Sequence, residues 1–136
     1  MAALADKKAL TLTVARAIVA AAEAEARKHN LAVTMSVVDD GGHLLHLARM
    51  DDTGLASIEV SIAKARAAAM FKRPTKFWED AHASGKTHLA NLPGVLPIEG
   101  GVPLMAAGKV IGAFGVSGAS SAQDGQVAAA GAAALG

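Results

Sequence analysis

The sequence predicts an α+β domain, a mostly antiparallel sheet covered by helices. Three observations predict it. Two long segments carry apolar residues at helical spacing, while the segments between them are β-branched and apolar. The turn signals Asp40-Gly41-Gly42 and Ala107-Gly108-Lys109 join neighbouring strands, so hairpins dominate. The composition is 33 alanines and 14 glycines in 136 residues, with 52% hydrophobic and only 3% aromatic residues. Small faces of this kind require elements that pack closely. The order helix, two strands, helix, short helix, three strands, helix fits α+β architecture better than a doubly wound one.

Each element has a local reason. Leu12, Ala15, Ile18, Val19, Ala22 and Ala26 form one helical stripe, with Thr11 as N-cap, Glu23 and Arg27 as an i,i+4 pair, and Asn30 as the stop. Val33, Met35 and Val37 alternate within a strand over 31–39, which turns at Asp40-Gly41-Gly42 and returns over 43–50. Helical spacing resumes from Leu55 to Phe71 through Ile58, Ile62, Ala65 and Ala69, with Glu59, Lys64 and Arg66 off that stripe. Pro74 stops this helix, and Thr75 reads as the cap of a short one carrying Phe77 and Trp78. A loop over 84–94 leads to three short strands over 95–98, 102–105 and 110–117, with Pro97 and Pro103 marking strand ends or edges. Ser121 and Asp124 resemble a capping box opening an Ala-rich final helix.

Residues 1–136 read as one domain, without a linker or internal repeat. The net charge of +1 and the scarcity of aromatics argue against nucleic acid as a partner. The absence of cysteine removes disulfide and thiolate chemistry. The N-terminal segment Met1–Asp6 has no signal-peptide pattern, and charges interrupt the apolar stretch that follows. A cytoplasmic protein that does not enter the membrane is the expectation.

The chemistry-bearing residues are few. His43 and His46 lie three apart, a spacing that on a strand points them to opposite faces and away from a shared ion. His82 and His88 flank a loop containing Thr87 and have no zinc-site spacing. Glu99 beside Gly100 and Gly101 could act as a general acid or base on a small carboxylate, or could be an exposed turn residue. Gly112, Gly115 and Gly118 recur every three residues, which calls for a close backbone or a flat ligand. The segment from Ser117 and Gly118 to Ser121 offers N–H groups at a helix start. Arg49, Lys64 and Arg66 are candidate cations for an acidic ligand.

Several stretches taken together resemble the GlcG/HbpS family, which also supplies the C-terminal domain of PduO-type proteins. They are Ser36-Val37-Val38-Asp39-Asp40-Gly41-Gly42-His43, Ala48-Arg49-Met50-Asp51, Lys64-Ala65-Arg66, Gly100-Gly101-Val102-Pro103 and Gly112-Ala113-Phe114-Gly115-Val116-Ser117-Gly118. The resemblance implies a profilin-like α/β/α fold with a five-stranded sheet, homo-oligomers, and a small-molecule ligand of the heme or iron-tetrapyrrole class. For heme, the axial ligand would fall to His43, His46, His82, His88 or Thr87, and the propionates to Arg49, Lys64 or Arg66. Two other readings stand beside this one: a catabolic enzyme or accessory protein acting on a small carboxylate or hydroxy acid through Glu99, and an assembly module without chemistry.

Overall fold

The structure, a computed structural model, describes residues 2–136; Met1, at the head of the N-terminal segment, lies outside the described residues. Helix α1 (Leu12–Lys28) starts where Thr11 accepts the Val14 N–H. It ends where Asn30 takes a left-handed conformation, φ 56°. Strands β1 (Thr34–Asp39) and β2 (Leu44–Arg49) form the first hairpin. Helix α2 (Ser57–Phe71) follows, then the short α3 (Lys76–Ala83) and a 3-10 turn at Thr87–Asn91. Strands β3 (Gly101–Ala106) and β4 (Lys109–Ser117) form the second hairpin, and α4 (Ser121–Ala133) closes the chain.

The sheet has four strands in the order β2-β1-β4-β3, all antiparallel. The strand expected at 95–98 does not form. Pro93 and Pro97 cannot donate to a ladder, and the N–H groups of Val95 and Ile98 turn back onto the carbonyls of Leu92 and Leu96. The expected five-stranded sheet is therefore corrected to four, while the α+β class and the helix-covered sheet hold.

Side chains alternate across the sheet. Met35, Val37, Phe114 and Val116 face α1 and α4, where Ile18, Ala22, Val127 and Ala128 complete a hydrocarbon core. Val38 and Ala113 face α2 and meet Ala65, Ala68 and Ala69. The α2 stripe is rotated from the one expected. Ile58 and Ile62 are half-buried, and the innermost positions are Ser57, Ser61, Lys64, Ala65 and Ala68. Gly115 explains how α2 sits so close: a methyl group there would lie 2.0 Å from the Ser61 carbonyl oxygen. The close neighbour expected of this glycine-rich strand is thus a helix backbone.

Trp78 is buried edge-on between Phe71 and Phe77, with both ring centroids at 5.0 Å, as the aromatic anchor of α3. Among the described residues, no helix is long and apolar enough to cross a membrane.

Candidate functional site

Two constellations of polar groups organise the α2 side of the sheet. The first is buried. Lys64, placed outside the buried stripe by its sequence spacing, is only 1% exposed. Its Nζ donates to the Val116 carbonyl at 2.9 Å and to Asp124 Oδ2 at 3.0 Å. Asp124 Oδ1 accepts the Ala119 N–H at 2.9 Å, so the carboxylate spans the ammonium and the entry of α4. Burial pushes the Asp124 carboxyl above its ordinary range, against the pull of the Ala119 N–H and the Lys64 charge.

Gly100 and Gly101 exist to let Lys64 through. A methyl group at Gly100 would lie 2.7 Å from Lys64 Nζ, and one at Gly101 would lie 2.3 Å from the Lys64 carbonyl oxygen. Thr75 does not cap α3 with its side chain as expected; it is fully buried, and its hydroxyl accepts the Gly101 N–H at 2.9 Å. The capping box at α4 shifts one residue from the expected pair, to Ser120 and Gln123, because Asp124 is committed to Lys64.

The second constellation is open. Asp39 Oδ1 accepts the N–H groups of both Gly41 and His43 at 2.9 Å, which fixes the turn between β1 and β2. This turn leans on the outer side of α2. A methyl group at Gly42 would lie 3.1 Å from Met70 Cε and 3.7 Å from Arg66 Cγ and Nε. His43 is exposed beside this contact. Ala63, Arg66, Met70 and Gly94 line a groove of about 290 Å³ along the same stretch of α2. A guanidinium and apolar side chains therefore share one solvent-facing groove, and the turn that carries the exposed His43 packs against two of its lining residues. That combination suits a flat, anionic, partly apolar ligand.

The remaining candidates are dispersed. His46 pairs in register with Val37, which faces α1 and α4, so it shares that side of the sheet and stands apart from the His43 turn. Arg49 is exposed on β2, the edge strand far from β3. His82, Thr87 and His88 are exposed on α3 and the 3-10 turn. Glu99 is half-buried; its carboxylate lies against α4, where a methyl group at Gly125 would sit 2.1 Å from Oε2. Ser117 is buried at the end of β4 and Gly118 is exposed, while the N–H groups of Ala119 and Ser120 are already taken by Asp124 and Gln123. Among the described residues, no three His, Asp or Glu side chains are grouped to hold a metal ion.

Sequence reasoning missed Asp39 and Asp124. An Asp two residues before a glycine in a strand-to-strand turn is a readable Asx signal. The Lys64–Asp124 pairing, 60 residues apart, has no local signal.

Comparison with known proteins shows the family and the fold. Residues 10–133 match the family model described as "Haem degrading protein HbpS-like". Protein GlcG of Escherichia coli (strain K12) is 47% identical over 111 residues, covering 82% of this chain and 83% of that protein. The crystal structure of HbpS superposes with a TM-score of 0.88 at 37% identity, covering 98% of this chain and 94% of that one. The crystal structure of a PduOC–heme complex superposes with a TM-score of 0.83 at 31% identity, covering 93% and 95% of the two chains.

Proposed function

The chain belongs to the HbpS-like family, and from that premise we propose that it binds heme or a related iron tetrapyrrole on the outer side of α2, beside the Asp39–His43 turn. The observation that carries this reading is the packing of Gly42, in the turn that bears the exposed His43, against Arg66 and Met70, two of the residues lining the groove along α2. The heme complex formed by the PduOC relative supports the ligand class.

The residues fit such a ligand. The exposed imidazole of His43 would be the iron ligand, and the two hydrogen bonds to Asp39 hold the backbone that carries it. The guanidinium of Arg66 is suited to a propionate through paired N–H donors. Ala63 and Met70 supply apolar wall. Bound heme would supply an iron centre whose ligation and redox poise depend on that axial donor and its surroundings. At about 290 Å³ the groove covers only part of a macrocycle. A second copy of the chain is therefore the natural source of the opposite wall, in keeping with a homo-oligomer.

Titration with hemin, followed by the Soret band, tests the proposal. The wild-type protein should give a saturable shift. His43→Ala should abolish that spectrum, and Arg66→Ala should weaken binding about tenfold, the cost of one charge-assisted contact. His46→Ala, His82→Ala and His88→Ala should behave as wild type. No Soret shift, or one indifferent to His43, contradicts the reading.

A further inference from the structure

Between the end of α2, the Asp40 turn and the hairpin of β3 and β4 lies a larger cleft of about 610 Å³ that the sequence did not single out. Three separate parts of the chain bring an ammonium to it: Lys7 on the N-terminal segment, Lys72 at the end of α2, and Lys109 at the start of β4. Asp40 is the carboxylate in its lining, and Lys7 is paired with it. Lys109 Nζ donates to the Asp6 carbonyl at 3.0 Å, a neutral acceptor that leaves its charge uncompensated. Lys72 has no ion-pair partner among the described residues. It also holds φ 55°, a left-handed conformation disfavoured for a lysine. A helix dipole accounts for a cation at Lys72 alone and does not account for the other two.

We propose that this cleft is a binding site for a small organic dianion. Three lysines against one aspartate in the lining leave an excess of two positive charges, and Asp6 and Lys8 on the adjoining rim offset one another; that excess matches two carboxylates or one phosphate monoester. The exposed Met105 and half-buried Val110 give a short hydrocarbon portion a place to lie. The volume exceeds that of a bare inorganic anion and falls in the range of small-metabolite sites. The strap formed by Lys7–Asp40 and Lys109–Asp6 spans the cleft, so the N-terminal segment is part of the site. This site shares no lining residue with the Arg66–Met70 groove and does not rest on heme binding.

The test is an amide NMR titration of the full chain with succinate, glycerol 3-phosphate and acetate. Either dianion should shift Gly108 and Val110 saturably and bind about tenfold more tightly than acetate. The tighter of the two identifies carboxylate or phosphate as the preferred headgroup. Lys72→Asn with Lys109→Gln should weaken that dianion by tenfold or more. Both positions are exposed, and Asn tolerates the left-handed conformation of position 72, so the fold is retained. Added sodium chloride should weaken binding further. His43→Ala should leave the titration unchanged. The proposal is overturned if neither dianion saturates, or if binding survives the double substitution.

Discussion

On one side of the sheet, Ile18, Met35, Val37, Phe114, Val116 and Val127 close into a single hydrocarbon cluster. On the other, α2 meets the sheet through hydroxyl pairs, with Thr34 to Ser57 and Ser36 to Ser61 both at 2.7 Å, and through the buried Lys64–Asp124 ion pair. Hydrocarbon contact is non-directional and accepts many equivalent packings. Paired hydroxyls and a buried charge accept very few, because a shifted α2 would strand polar groups away from water. The polar side therefore dictates the position of α2 as well as its docking. That matters because the outer surface of α2 carries Arg66 and Met70, which face the His43 turn. Two sides of one sheet thus divide the work. The apolar side supplies most of the driving force, and the polar side sets the geometry of the candidate groove.

The sharpest way to break this contrast is at Lys64. Lys64→Met leaves the Asp124 carboxylate buried and unpaired, at an expected cost of about 3–5 kcal/mol in urea unfolding. Adding Asp124→Leu should recover most of that loss, because no charge is then left without a partner. Phe114→Ala on the apolar side should cost a similar amount, about 3–5 kcal/mol, with no such pairwise rescue. A Lys64→Met protein as stable as wild type would end the distinction.

The next largest effect is expected at Gly115. Its missing side chain admits the Ser61 carbonyl, so Gly115→Ala must push α2 outward, at about 1–3 kcal/mol. The same substitution should weaken hemin binding, since Arg66 moves with α2. Unchanged unfolding and unchanged hemin affinity would separate the groove from the helix packing beneath it.

Smaller effects test the hydroxyl pairs one at a time. Ser61→Ala strands the Ser36 hydroxyl, which is fully buried, at about 1–3 kcal/mol. Ser36→Ala combined with Ser61→Ala should cost less than the sum of the single changes. Strict additivity would mean that the two hydroxyls do not act together.

The smallest effect lies at the rim, outside both cores. The hydrogen bond from Lys7, with its charge, holds the exposed Asp40 carboxyl below its ordinary value of 3.8. A carboxyl lowered in the folded state favours folding above its unfolded value, and that contribution fades as pH falls through the lower folded value. A carboxyl NMR titration should find the Asp40 midpoint below 3.8 and see it rise towards 3.8 in Lys7→Ala. An unmoved midpoint would mean that the strap is not formed in solution.

The outline of the fold was legible because its signals are local. The alternation of Val33, Met35 and Val37, the Thr11 cap and the Asp40-Gly41-Gly42 turn each act within a few residues, and each stands as expected. The strand at 95–98 was misread because Val95, Leu96 and Ile98 outweighed Pro97 and the nearby Pro93, yet a ladder needs the N–H groups that prolines lack. The phase of α2 was misread for a deeper reason. Hydropathy assigns serines and a lysine to solvent, whereas here partners 23, 25 and 60 residues away satisfy them indoors. Of the candidate site residues, Arg66 lies against the turn that carries His43, while Arg49, His46, Thr87 and His88 disperse. Spacing along the chain carries no information on which of them share a surface.

The most direct measurement is a crystal structure of the protein with hemin bound. The expected result is iron ligated by a ring nitrogen of His43, a propionate on Arg66, and Met70 against the macrocycle. Iron ligated elsewhere, with the groove along α2 at Arg66 and Met70 left empty, would overturn heme binding at this surface.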